Sequence, residues 1–508
     1  MRDTFATRLR WLRDLHQRAL VPCMLAALGV GPALALPLPV REALARVGLP
    51  ETALAVWVAP VSRGAPVLSV QAEAAFAPAS TIKTLTTIVA LETLGPNWRG
   101  QTRLLTRAPV RMDEAGVATL GGDVILRGEA NVDFDEAALD QLFARLRARG
   151  VARIAGDLLV DRSFFRPART DRGLPPFDAW PEFRYNAIPD ALFLSGHLFA
   201  LEIGTFEGNV RIMPRPVLPC VRWQSAAQLT EEPCAAWEQG WRPPQVEATN
   251  DGAIVVTLQG RLPRECLIST AIQVIDRDEF VARLVRARWE AAGGRLDGQV
   301  RFVDEGSASA DDLQELAQVR SRTLAEIARD IQRRSDNPVT RMIYLALGAR
   351  EARPEETTAQ AAERVVRRWL AERGIDATGL VLENGSGLSR RERIAPSTLG
   401  EVLRAARRSP WWPEFAYGLP VAGRDGSLAR RLRDSPSAAL PSPARLKTGT
   451  LRDVGALAGY VTAADGREYV FVAMVNHPEA TTARAQPVLD ALVDWVARAG
   501  WRTEPWVP

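Results

Sequence analysis

The sequence has almost no lysine. Of its 64 lysine and arginine residues only two, Lys83 and Lys447, are lysine. Generic positive charge is met with guanidinium, which stays protonated in proteins, whereas a buried or cation-paired ammonium can release its proton and act as a base. Histidine is nearly as scarce. His16 lies in a leader-like segment, and His197 and His477 sit in apolar, strand-like contexts that read as structural. There is no G-x-S-x-G, no Walker A loop and no H-E-x-x-H, so nucleophile-elbow, nucleotide-binding and zinc-peptidase chemistries drop out, and no motif calls for a metal or cofactor. The net charge of +4 is small for 508 residues. No basic cluster is interleaved with aromatics, which argues against nucleic acid, and the basic excess permits at most peripheral contact with an anionic membrane surface.

Cysteine is also sparse, at four residues. Cys23 falls in residues 1–35, which read as a signal peptide: arginines at 2, 8, 10, 13 and 18, an apolar run from Ala19 to Leu34, and a small-residue site at Ala33-Leu34-Ala35. That run is short for a bilayer span and is broken by Pro22, Gly29, Gly31 and Pro32. Export sets an oxidising context, where Cys220–Cys234 is the expected disulfide and Cys266 the expected buried, unpaired thiol.

What the chain does have is organised around the two lysines. Residues 53–59 and 66–71 read as strands. Thr81 to Leu94 is an apolar helix stopped by Gly95-Pro96, so Ser80 stands at a helix start with Lys83 one turn away on the same face. Residues 101–310 read as inserted and β-rich, with one amphipathic helix over 136–149. Helical periodicity over 322–334 breaks at Ser335-Asp336-Asn337-Pro338, a tight interhelical loop. Strands follow at 445–450, 455–463 and 467–475, the last two as a hairpin across Asp465-Gly466, and a helix over 484–500 closes the chain. Three late strands need partners and two early strands supply them. The expected fold is α/β: one antiparallel sheet packed by helices, built from 36–100 and 311–508, with 101–310 looped out.

Serine needs a base, and an amine three residues from Ser80 is the local candidate. Ser80-Thr81-Ile82-Lys83, Ser335-Asp336-Asn337 and Lys447-Thr448-Gly449-Thr450 are together the known S-x-x-K, S-D-N and K-T-G signature of class A β-lactamases and penicillin-binding proteins. In this reading Ser80 attacks an acyl carbonyl, and Lys83 is the base, depressed by burial and by the Lys447 charge. Ser335 relays a proton and Asn337 holds a substrate amide. Lys447, Thr448 and Thr450 receive a carboxylate, and Gly449 admits the substrate backbone. The amides of Ser80 and Thr450 form the oxyanion hole.

With these motifs, Phe76–Lys83, Gly122–Gly128, Gly156–Asp161, Asn384–Arg390 and Leu419–Gly423 make the chain similar to the penicillin-binding D-alanyl-D-alanine carboxypeptidases/endopeptidases of the PBP4 type (peptidase family S13). The long stretch between Lys83 and Ser335 resembles that family's insertion, which β-lactamases lack. Two positions depart from the family: Gly128-Glu129-Ala130-Asn131-Val132 replaces a glycine-rich turn, and Asn384 stands where Asp is common. The resemblance implies a serine β-lactamase/transpeptidase-like domain interrupted by inserted domains. It further implies a periplasmic hydrolase of peptidoglycan stem peptides, working through an acyl-enzyme that β-lactams trap. A β-lactamase and a non-catalytic peptidoglycan-binding scaffold are the alternatives; turnover of penicillin and covalent penicillin labelling distinguish them.

Overall fold

The computed structural model describes residues 35–499 apart from 113, 115, 175–179, 304–312 and 441–442. The leader reading over 1–35, with Cys23, lies outside the described residues except for Ala35. The central sheet has five antiparallel strands in the order Arg445–Leu451, Val454–Thr462, Glu468–Asn476, Leu54–Pro60, Leu68–Val70. Leu54–Pro60 is apolar at every position because both faces of the sheet are covered. Trp57 and Ala59 pack into one core with helices Lys83–Thr93, Leu324–Arg334, Thr358–Glu372 and Pro396–Arg408. Leu54, Val56 and Val58 pack into another with helices Leu38–Val47 and Thr482–Ala497. A Cβ on Gly400 would sit 2.2 Å from the Trp57 ring, so that glycine lets its helix settle on the strand.

The apolar run after Ser80 is a helix, Lys83–Thr93, and every residue from Lys83 to Leu91 is buried. Helices Leu38–Val47, Arg277–Ala291, Thr358–Glu372 and Pro396–Arg408 were not anticipated from sequence. The local signals are present: Thr357 and Gln360 make a capping box, and Pro396 opens its helix at the first turn.

Between the early and late strands the described residues build four further sheets. In the largest, Gln101–Thr106 pairs with both Val124–Glu129 and Gln314–Arg320. Gln314–Arg320 lies beyond the expected junction between residues 310 and 311. Gln314–Arg320 completes the sheet begun at Gln101, and the chain returns to the central core only with helix Leu324–Arg334. Helix Glu136–Ala148 buries Leu139, Leu142, Phe143 and Leu146, as its periodicity required.

The disulfide also differs from expectation. Cys234 is bonded to Cys266 with a Cα–Cα separation of 5.7 Å, and among the described residues Cys220 is a free, exposed thiol. The reason is strand pairing. Val221–Ser225 runs parallel to the start of Ile254–Pro263, which puts Cys220 against Ile254, while Thr230 pairs with Pro263 at the strand's other end, near Cys266. Proximity in sequence favoured the wrong partner because a long strand separates the two sulfurs. Non-reducing peptide mapping is expected to recover Cys234 joined to Cys266, with Cys220 open to a maleimide. Cys266→Ala is expected to cost about 3 kcal/mol in denaturant unfolding, the usual scale for such a loop.

Candidate active site

Ser80 lies in a single 3-10 turn, Ala79–Ile82, that runs straight into helix Lys83–Thr93. Ala79 has φ 45°, a left-handed conformation that costs a non-glycine residue about 1 kcal/mol or more. Its neighbours hold it there. A Cβ on Gly387 would fall 1.9 Å from the Ala79 carbonyl oxygen, and one on Gly449 would fall 2.8 Å from the Pro78 carbonyl oxygen. Two glycines from distant segments therefore let backbone close on the turn from two sides. Gly449 was expected to admit substrate backbone; the close approach in the structure is made by the chain's own Pro78.

Lys83 is fully buried, and its Nζ has three partners: Ser80 Oγ at 2.8 Å, Asn337 Oδ1 at 2.6 Å and the Ser386 carbonyl oxygen. A neutral amine has two N–H bonds and one lone pair. The two carbonyl-type oxygens can accept the hydrogens, which leaves the lone pair facing the one partner able to donate, the Ser80 hydroxyl. Burial lowers the Lys83 pKa from its ordinary value of 10.5 to about 7; the Glu392 and Asp336 carboxylates oppose the shift and the Arg341 guanidinium adds to it.

Asn337 reaches this point because the joint between two helices is so short. Ser335 ends helix Leu324–Arg334 in the left-handed region at φ 58°, and Asp336 caps the next helix by accepting from the Val339 amide at 2.9 Å. Asn337 Nδ2 donates to the Tyr185 carbonyl at 3.1 Å, which turns Oδ1 toward Lys83. Both ends of this amide are engaged within the protein, on Lys83 and on the Tyr185 carbonyl.

Lys447 is likewise fully buried, donating to Ser335 Oγ and to the Thr448 carbonyl, each at 2.9 Å. Burial, then the charge of Lys83, holds its pKa well below the ordinary value. Thr448 Oγ1 donates to Ser427 Oγ at 2.7 Å. Strand Arg445–Leu451 is an edge strand. The Leu446 amide donates outward to the Pro420 carbonyl at 2.9 Å, so strand alternation puts the Thr448 and Thr450 amides on the same open side. A cavity of about 450 Å³ adjoins Ser335 and Asn337, walled from the inserted region by Trp180, Phe183, Arg184 and Tyr185. Arg184 spans it to Asp336 at 2.8 Å.

The structure thus brings together two hydrogen-bonded groups, Ser80 with Lys83 and Asn337, and Ser335 with Lys447, with Thr448, Gly449 and Thr450 on the same strand as Lys447. Three contributors were missed from sequence: the Ser386 carbonyl, the Tyr185 carbonyl and Ser427. Two of these act through main-chain oxygens, which no residue type reveals.

The sheet, its covering helices and this cluster define the penicillin-binding, serine-hydrolase type of fold. The D-Ala-D-Ala carboxypeptidase 3 (S13) family matches residues 39–499, and the chain belongs to that family. It is 29% identical over 403 residues to the D-alanyl-D-alanine carboxypeptidase of Actinomadura sp. strain R39, covering 77% of this chain and 71% of that one. It is 26% identical over 415 residues to the D-alanyl-D-alanine carboxypeptidase DacB of Haemophilus influenzae, covering 78% and 80%. The crystal structure of penicillin binding protein 4 from Haemophilus influenzae shares the fold, with a TM-score of 0.72 at 22% identity over 92% of this chain and 99% of that one.

Gly449→Ala is expected to displace the Ser80 turn, slowing covalent labelling by penicillin roughly tenfold or more and costing about 1–3 kcal/mol of stability. Stopped-flow labelling with a fluorescent penicillin reads the first and a thermal melt the second. A folded variant that labels at the parent rate removes the glycine from this role.

Proposed function

We propose that this chain removes the terminal D-alanine from peptidoglycan stem peptides, and cuts D-alanyl cross-links as an endopeptidase, through an acyl-enzyme on Ser80 that penicillins trap. The observation that carries this reading is the Lys83 amine, buried, depressed toward neutrality and left with its lone pair on the Ser80 hydroxyl. The S13 relatives are named as D-alanyl-D-alanine carboxypeptidases, and a second crystal structure of the Haemophilus protein is complexed with a β-lactam.

In the proposed reaction Lys83 takes the Ser80 proton as Oγ bonds to the acyl carbon. The carbonyl oxygen becomes negative between the Ser80 and Thr450 amides; one such donor is typically worth ~3 kcal/mol. The C–N bond then breaks, and the departing D-alanine amine takes the proton that Lys83 had accepted, relayed through the Ser335 hydroxyl, which Lys447 holds at 2.9 Å. Lys447, Thr448 and Thr450 receive the substrate carboxylate, Gly449 keeps their strand against the Ser80 turn, and Asn337 keeps Lys83 aimed. Water hydrolyses the ester and regenerates Ser80.

The leader reading supports a periplasmic site of action, and no helix among the described residues is long and apolar enough to cross a membrane. The penicillin-binding domain is proposed to be discontinuous, residues 36–100 joined to a second part that begins after Arg320, with the intervening region inserted.

A trapped β-lactam is expected to add its mass to the peptide containing Ser80. Label that persists in Ser80→Ala, or that maps to Ser335 or Ser386, rejects the assignment. Lys83→Arg keeps charge but cannot accept a proton near neutral pH, and should slow acylation 10²–10⁴-fold, on the order expected for a lost proton-transfer catalyst. Lys447→Arg retains the cation and should keep measurable acylation. Because the ammonium must lose its proton to work, the rate should rise with pH and reach half its plateau near the Lys83 value of about 7. Equal rates for the two arginine variants, or a flat profile from pH 5 to 9, exclude Lys83 as the base.

A further inference from the structure

Glu392 is a carboxylate sealed into the interior beside this cluster. It is fully buried, and its Oε1 accepts the amides of Glu383 at 3.2 Å, Asn384 at 2.9 Å and Gly385 at 2.7 Å, while Oε2 accepts the amide of Gly387 at 2.7 Å. The amides converge because the loop turns through two left-handed glycines, Gly385 at φ 68° and Gly387 at φ 80°. The amide left out belongs to Ser386. It donates instead to Asn384 Oδ1 at 3.0 Å, and the Ser386 carbonyl is turned inward onto Lys83 Nζ. Four N–H donors around two oxygens make an acceptor-only site, which a carboxylate fills and a protonated carboxyl does not. Burial raises the Glu392 pKa above its ordinary value, and the four amide bonds oppose that rise without cancelling it.

The charges facing Lys83 are few. Helix Asn337–Ala349 and its cap bring Asp336 and Arg341, strand Arg445–Leu451 brings Lys447, and the loop brings Glu392. Helix Leu324–Arg334 contributes only the uncharged Gln332 amide, 3.5 Å from the Lys83 carbonyl. Glu392 itself is faced by Arg341 and by Tyr344, whose ring packs on Gly385.

We infer that Glu392 is a positioning residue for the Ser80–Lys83 pair: it locks the Ser386 carbonyl onto Lys83 and places a buried carboxylate beside the amine. This rests on Lys83 acting as the base. Its effect is indirect, through one carbonyl and one electrostatic field, and it touches neither Ser80 nor substrate.

The scarcity of lysine provides the test. Labelling the folded protein with [13Cε]lysine gives two ε-carbon signals from the two lysines, and Lys83→Arg assigns them. In Glu392→Gln the ammonium loses an opposing charge, so the Lys83 titration midpoint is expected to fall by about one pH unit. The acid limb of penicillin acylation should fall with it. The glutamine also turns an N–H donor onto the loop amides, so the high-pH plateau of acylation should drop roughly tenfold. Glu392→Asp keeps the anion on a shorter stem; its midpoint should stay near the parent's while its plateau drops. A folded Gln variant with an unmoved Lys83 midpoint overturns the inference, as does an Asp variant that shifts as far as Gln. If Glu392→Gln does not fold, Glu392→Asp decides alone: a kept midpoint with a lowered plateau supports the inference, and a shifted midpoint or an unchanged plateau overturns it. Should the NMR midpoint move while the acid limb stays put, the electrostatic role of Glu392 stands and it is Lys83 as base that fails.

Discussion

A primary amine sealed from water is tolerated only where its hydrogens find acceptors, because a buried unpaired donor costs about 1–3 kcal/mol and a buried charge more. Lys83 meets that condition with acceptors from two other parts of the chain: Asn337 at the start of one helix and the main chain of Ser386 in a loop. The rest of the site depends on it. The joint at Ser335–Asp336 has to be two residues long to bring Asn337 in, and the loop after Asn384 has to double back through glycines to present a carbonyl. Once those acceptors are filled, the remaining valence of the amine has one direction left, toward Ser80.

The inserted region takes part in this arrangement. Tyr185 fixes the orientation of the Asn337 amide through its carbonyl, Arg184 pairs with Asp336, and the Arg166 amide donates to Thr358 Oγ1 at 2.8 Å. The aromatic wall of Trp180 and Phe183 is continued by Trp237 and Trp241, whose local chain is tied down by the Cys234–Cys266 bond. Each side keeps an apolar core of its own, and a smaller apolar cluster joins them where Phe165, Ala187, Ala191 and Phe193 pack on Met342 and Ala346.

Legibility in the sequence followed chemistry more than topology. Lys83 and Lys447 stood out because an arginine-rich chain had kept them, and helix periodicity put Ser80 and Lys83 on one face. The strands at either end were readable because both faces are buried, which leaves unbroken apolar runs such as Leu54–Pro60. Glu392 was hidden for the opposite reason: within Arg390-Arg391-Glu392-Arg393 it looks like part of a solvated charge run. Only the fold shows that it turns inward while Arg391 remains exposed. The cysteine pairing was misjudged because it depends on which strands lie side by side, and a one-dimensional pattern does not carry that information.

The central sheet has a consequence for how the molecule comes into being. Leu54–Pro60 lies between Leu68–Val70 and Glu468–Asn476, so its partner on one side is made almost at once and its partner on the other some four hundred residues later. Contacts of such high sequence separation slow folding and keep the nascent strand exposed while synthesis proceeds. The inserted region has a large apolar core of its own, so it can become compact while the early strands wait. Lys447, on the edge strand Arg445–Leu451, and the turn of Ser80, which packs against Gly449, meet only once that late strand has been made. A nascent chain that has not yet reached Arg445–Leu451 therefore carries the serine without the rest of the cluster, and the arrangement waits on that strand.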